Sequence, residues 1–342
     1  MKIGIVTPLW ERGLSYTALY FYFALREKHE TGVLAYVSQI DGEPRLRTQG
    51  EFDIPGLCIY PRAEIAPEDL KRWLMPYDAV LFMEERFGDY LAVAKEAKKK
   101  AVNYICEEPS PAEKERMKEF DLCIAPRAIV GTEYIPLGIN LNLFQPRDMK
   151  QDKEKKRTWV FVPLGHGGDY DRKNEAAITK AISRVQCRDK AEFLVHKQGL
   201  PLLKLDHAIR YLSELFTFEK MILTYCNSDF IVYSPKWRRN DLTVMEAMAC
   251  GLPVVSAVKP LGGMVLHRQN GLLSRAIQES NLEGVGETPY SPEVHDLAVA
   301  IAELSEDKEQ LERMKINARK TAIEFWDWGK NKERFLKLME GI

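Results

Sequence analysis

Short, unbroken apolar runs alternate along the chain with amphipathic stretches of helix length, and this alternation sets the architecture. Residues 3–7 read as a buried strand and 16–28 as the helix that follows it. Further strands are expected at 33–37, 79–83, 102–106 and 122–125, with helical patterns at 88–100 and 111–119 between them. Runs that are apolar throughout, rather than at every second position, suit parallel strands covered on both faces. The repeated strand–helix order predicts right-handed crossovers and a doubly wound sheet. A polar, charge-rich break follows at 146–157, densest at 153–157, and reads as a solvated linker. A second series then begins, with strands at 159–163, 192–195, 230–234 and 253–257 and helices at 173–185, 218–227 and 243–250. Long helical stretches at 291–304, 308–324 and 328–339 close the chain.

The fold class is therefore α/β, with two Rossmann-like domains, expected at 1–146 and 147–324, and a terminal segment at 325–342. A length of 342 residues accommodates two cores, since domains run to roughly 150 residues. Two such halves are expected to face each other across a cleft, because ligands of open α/β sheets bind outside the carboxyl ends of the strands. That arrangement suits group transfer, with the donor on one half, the acceptor on the other, and closure excluding water.

Composition narrows the function. Apolar residues make up 45% and charged residues 29%, the balance of a globular chain. The 49 basic and 50 acidic residues argue against a chain-wide nucleic-acid surface, so no nucleic-acid partner is expected. The six cysteines are scattered without a CxxC pair and are expected to be buried free thiols in a reducing compartment. The amino-terminus lacks signal-peptide anatomy, and no apolar stretch approaches the roughly 20 residues of a membrane span, so a cytoplasmic location is expected. The six histidines show no metal-ligand spacing, and Asp169-Tyr170-Asp171 lies beside the cations Arg172 and Lys173. No metal or other cofactor is implied.

The most informative stretch is 229–255: a strand, a loop, a helix, a glycine stop, then Pro253 and a new strand. The loop from Arg238 to Leu242 and Thr243 delivers backbone N–H groups at a helix N-terminus, a seat for a diphosphate. Glu246 follows about one turn inside, where a carboxylate accepts hydrogen bonds from vicinal ribose hydroxyls; a ligand-free carboxylate near a helix start is the simpler alternative. Upstream, the glycine-rich run around His166 leads into Arg172 and Lys173, whose charges suit diphosphate.

The run from Glu246 through Gly251-Leu-Pro253 resembles the donor-site signature of the large retaining glycosyltransferase family that includes glycogen- and sucrose-type synthases and mannosyltransferases (glycosyltransferase group 1). Tyr134-Ile-Pro-Leu-Gly138-Ile-Asn with Phe144, Gly262-Gly263 with Asn270-Gly271-Leu-Leu, and the Trp326-Asp-Trp328 closing motif resemble further segments of it in order. The resemblance implies the double-Rossmann GT-B fold, with the last helix crossing back to the first domain. It implies a nucleoside-diphosphate-sugar donor (UDP-, GDP- or ADP-linked) and metal-independent transfer to an acceptor hydroxyl with retention. The acceptor class (glycan, lipid or small molecule) stays open, as does peripheral membrane contact. Lys173 matches the family's phosphate-binding lysine, His166 stands near where an arginine is usual, and Gly13 fits its first glycine-rich loop. Lys197, Arg210 and Leu212, with His196, are the candidates to border the base.

Two positions depart from the family. Arg238 stands where a further glutamate is usual near the transferred sugar, and Asp241 is close enough to supply a carboxylate instead. Glu107 stands where many members carry a histidine, and either handles sugar or acceptor hydroxyls or belongs to a solvated loop pair with Glu108. Glu107, Arg238 and Asp241 are the catalytic candidates. The reversed charge at Arg238 keeps a second class open, a nucleotide-sugar-binding subunit with weak or no catalysis. A nicotinamide oxidoreductase is disfavoured, because no Gly-x-Gly-x-x-Gly follows the first strand.

Overall fold

The computed structural model of the chain describes every residue outside 9–12, 37–53, 62–63, 86–88, 107–108, 148–156, 166–170, 187–188, 198–208, 214–215, 217, 238–240, 260, 262 and 281–287. The chain divides into two compact units, one of residues 1–138 with 328–342 and the other of residues 139–327.

The first unit is built in the order β1 (Lys2–Pro8), α1 (Gly13–Leu25), β2 (Glu30–Tyr36), β3 (Leu57–Tyr60), α2 (Pro67–Leu74), β4 (Ala79–Met83), α3 (Asp89–Glu96), β5 (Lys100–Tyr104), α4 (Pro111–Met117), β6 (Leu122–Ala125) and β7 (Glu133–Tyr134). Its strands form one parallel sheet in the order β3-β2-β1-β4-β5-β6-β7. The apolar runs that predicted these strands are buried on both faces, as in β4, where Ala79 through Met83 are all buried. The helix expected at 88–100 stops at Glu96: Lys98 takes φ +56°, and the N–H of Lys99 donates to the Ala94 carbonyl at 2.9 Å. That turn frees Lys100 to start β5.

The second unit runs β8 (Thr158–Gly165), α5 (Glu175–Arg184), β9 (Ala191–Lys197), β10 (Ile209–Leu212), α6 (Phe218–Asn227), β11 (Phe230–Val232), α7 (Leu242–Ala249), β12 (Val254–Ala257), β13 (Gly271–Ser274), β14 (Ala276–Gln278), β15 (Tyr290–Pro292), α8 (Val294–Glu306) and α9 (Lys308–Phe325). The parallel sheet has the order β10-β9-β8-β11-β12-β13, and β14 pairs antiparallel with β15. Its core is formed by Val160, Phe193, Phe230 and Val255 from the strands against Ile178 of α5, Ile301 of α8 and Met314 of α9. The helix expected to begin at Ser291 begins at Val294 instead. Ser291 lies in β15, and the Glu293 carboxylate caps the helix by accepting from the N–H groups of His295 (3.2 Å) and Asp296 (2.7 Å).

The final helix, α10 (Trp328–Glu340), belongs to the first unit. Phe335 stacks on Phe21 of α1 at 4.4 Å between centroids, and Asn331 donates to the Leu137 carbonyl at 3.3 Å. A side chain at Gly138 would lie 2.7 Å from the Trp328 Cα, so the glycine of the Pro-Leu-Gly motif is required by this close approach. Phe335 is fully buried, and Phe335→Ala is expected to destabilise the first unit by about 3–5 kcal/mol, read as a lowered urea midpoint of its tryptophan-reported transition.

No helix among the described residues is long and apolar enough to cross a membrane. The five described cysteines are free, but the expectation that they are buried holds only in part: Cys58 is exposed, because β3 is an edge strand.

Candidate functional site

The second sheet reverses direction between β8 and β11. From β8 the chain adds β9 and β10 on one side, then returns to place β11 on the other. In open α/β sheets the connections that follow two such neighbouring strands leave to opposite faces, and ligands bind in the crevice outside their carboxyl ends. The loop after β8 carries Arg172 and Lys173. The loop after β11 carries Tyr233 and ends at Asp241, the first residue before α7.

The structure brings these residues together. Lys173 Nζ hydrogen-bonds the Tyr233 hydroxyl, which donates to Asp241 Oδ2; the ammonium lies 3.8 Å from that carboxylate oxygen. The same ammonium is 4.3 Å from the centroid of the Tyr233 ring. Asp241 caps α7, its Oδ1 accepting from the Thr243 N–H at 3.1 Å. Burial pushes the Asp241 pKa up, but the Lys173 charge and the bonds from Tyr233 and Thr243 outweigh it and hold the carboxyl below its usual range. Asp241 is thus a buried carboxylate at a helix N-terminus, with Leu242 and Thr243 supplying the first helical backbone of α7.

Glu246 sits one turn along α7, half-buried, and accepts from the Tyr225 hydroxyl at 3.2 Å. Burial raises its pKa to about 8; nearby Asp241 adds to the rise and the Tyr225 bond opposes it. The helix is held from behind by Arg319 of α9, whose Nη1 donates to the carbonyls of Ala249 (2.7 Å) and Phe144 (2.8 Å).

The Arg172–Lys173 turn is fixed by Asn174, which is fully buried with φ +55° and explains why α5 starts at Glu175 rather than at Lys173. Its amide donates to the carbonyls of Ser234 (2.8 Å) and Tyr290 (2.9 Å), and its oxygen accepts from Ser291 Oγ at 2.7 Å. The Arg172 carbonyl accepts from the Lys236 N–H at 2.9 Å. Asp171 of the Asp-Tyr-Asp triplet caps α5 through the Glu175 N–H at 2.6 Å.

Lys197 ends β9 in a buried ion pair with Glu175 at 2.6 Å, and Leu212 ends β10 opposite His196, which stacks on Phe216 at 3.9 Å. Arg210 is not brought to these groups. It pairs with Glu192 at 2.7 Å and faces the Trp159 ring, near the opposite, amino end of the sheet. In the first unit, Gly13 is the first residue of α1. Ser15 lies inside the helix and donates to the Pro8 carbonyl at 2.7 Å. His166, Glu107 and Arg238 fall outside the described residues. Among the described residues, no group of three or more His, Cys, Asp or Glu stands together as a metal site.

Asn270 and Gly271 have packing roles. Asn270 binds the Leu266 N–H (2.7 Å) and the Thr321 hydroxyl (3.1 Å), and a Cβ on Gly271 would lie 2.1 Å from the Val254 carbonyl oxygen. Sequence reasoning missed Tyr233, Tyr225 and Asn174. Two of them lie within stretches that read as core, and the only signal was polar atoms inside apolar runs.

Two parallel doubly wound sheets, one with cations and a helix N-terminus at its switch point, define a double-Rossmann fold. Residues 160–284 match the family model described as Glycosyl transferases group 1, in agreement with the sequence resemblance. Solved structures share the fold over the whole chain. Anabaena HepE in complex with UDP and glucose superposes with a TM-score of 0.75 at 16% identity, covering 100% of both chains. Sucrose-phosphate synthase from Thermosynechococcus elongatus gives 0.69 at 14% identity, covering 100% of this chain and 98% of its own. A glycosyltransferase from Rickettsia africae gives 0.67 at 13% identity, covering 98% and 97%. The fold is GT-B. No curated protein matches the chain significantly in sequence.

Proposed function

We propose that the chain is a glycosyltransferase that moves a sugar from a nucleoside-diphosphate-sugar to an acceptor hydroxyl, with retention at the anomeric carbon and without a metal ion. The observation that carries this reading is the meeting of Lys173 with the N-terminus of α7 at the switch point, one helical turn from Glu246. The acceptor oxygen attacks the anomeric carbon as the bond to the phosphate oxygen breaks. Lys173, Arg172 and the positive end of α7 at Leu242 and Thr243 stabilise the departing diphosphate, and Glu246 holds the ribose hydroxyls. Leu212 and His196 border the base. The domains are proposed as donor side (147–324) and acceptor side (1–146), with 325–342 bracing the latter, and the protein as cytoplasmic.

The structures in complex with UDP or UDP-glucose favour a uridine donor. Calorimetric titration with UDP-, GDP- and ADP-sugars in EDTA is expected to give a micromolar to millimolar complex with one base. Product NMR in the presence of an acceptor is expected to show the donor's anomeric configuration. An absence of binding by all three nucleotides at millimolar concentration sinks the reading. Arg238 keeps the second reading in view: binding without hydrolysis or transfer over an acceptor panel would make the chain a donor-binding subunit.

A further inference from the structure

We propose that Asp241 is a charge filter that lets this site hold the intact donor in preference to the free nucleoside diphosphate; the inference rests on the donor-site reading above. An N-cap needs only a short side chain with an acceptor oxygen, and asparagine or serine caps a helix as well as aspartate does. This chain instead buries a carboxylate there, between the two groups best suited to bind phosphate. Asp241 Oδ1 takes the Thr243 N–H at 3.1 Å, and Oδ2 takes the Tyr233 hydroxyl, 3.8 Å from Lys173 Nζ. A phosphate that reaches the Lys173 ammonium therefore also meets a fixed negative charge.

Transfer changes the charge of what is bound. In the donor, both phosphates are esterified and carry one negative charge each. When the bond from the anomeric carbon to the phosphate oxygen breaks, its electron pair stays on that oxygen. The acceptor oxygen forms the new bond and its proton leaves to solvent. The distal phosphate then carries an added charge above its second pKa of about 6. In a partly buried site this extra charge is repelled by Asp241, so the carboxylate favours product release while the single charges of the donor are matched by Lys173 and Arg172. Tyr233 holds the filter in place, because its hydroxyl bridges the ammonium and the carboxylate.

The test is calorimetric titration of the full chain in EDTA with UDP and with UDP-glucose, for the wild type, Asp241→Asn, Asp241→Glu and Lys173→Ala. Asparagine keeps the acceptor of the Thr243 N–H and removes the charge, at the cost of the acceptor for the Tyr233 hydroxyl; melting temperatures check that the fold is intact. Asp241→Asn is expected to tighten UDP by about tenfold and UDP-glucose by much less, and to strengthen product inhibition, while Asp241→Glu keeps a ratio near that of the wild type. A UDP to UDP-glucose affinity ratio unchanged in Asp241→Asn, or equal weakening of both ligands, overturns the filter. If Lys173→Ala leaves both ligands bound as before, the donor-site reading itself has failed and the filter with it. If Lys173→Ala weakens both while the Asp241→Asn ratio is unchanged, only the filter falls.

Discussion

Lys173→Ala is expected to abolish the thermal shift given by a nucleoside diphosphate and to lower transfer by about 10²–10³-fold, the usual scale for removing one charge-stabilising group. The fold is expected to survive. Asp241 loses its counter-charge but keeps the Thr243 N–H and the Tyr233 hydroxyl, so the pKa of its carboxyl rises and stability falls by about 1–3 kcal/mol. The double variant Lys173→Ala/Asp241→Asn removes both charges and is expected to recover that stability without recovering transfer. Urea denaturation and initial rates separate the two effects. Recovery of transfer in the double variant would show that Lys173 acts only by neutralising Asp241.

Glu246 carries the second large effect, and its sign follows from a raised pKa. In the ligand-free protein its pKa is lifted from near 4.5 to about 8, chiefly by burial. Between these values the folded state binds more protons than the unfolded chain, so this group's contribution to stability is full below about 4.5, declines as pH rises, and is gone above about 8. Glu246→Gln is expected to flatten that decline and to raise the melting temperature at pH 9. Binding has the opposite slope. Two ribose hydroxyls donate best to an ionised carboxylate, so nucleotide binding is expected to release a proton and to strengthen from pH 6 to 9. Titrations in two buffers of different ionisation enthalpy read the proton directly. Glu246→Gln is expected to lose about 10–100-fold in affinity together with the pH dependence. An unchanged affinity in the variant would remove Glu246 from the ribose.

How much of the site was legible depended on how local each feature was. Glu246, Leu242 and Thr243 were readable because a strand, a loop, a helix and a glycine stop follow one another within 229–255. Lys173 was readable because it lies just before a helix start and follows a strand end. Tyr233 was not readable, although it joins Lys173 to Asp241, because it prolongs the apolar run of β11 and its partner Lys173 is 60 residues away in sequence. Arg210 was placed near the base by its position in the chain. Its backbone lies opposite Leu194 of β9 and its side chain pairs with Glu192 at 2.7 Å, an ion pair between separate strands that the sequence does not announce.

Determined by the sequence alone were the two α/β series, their parallel strands and the strand–loop–helix succession at 229–255, because hydrophobic periodicity and turn chemistry act over a few residues. The tertiary structure decided which distant polar groups meet at the β8–β11 switch point. It also decided that the residue capping α7 is a buried carboxylate paired with Lys173, and that burial keeps Glu246 protonated up to about pH 8. Those outcomes depend on desolvation and on charges brought together by strand order, and neither quantity exists until the chain has folded.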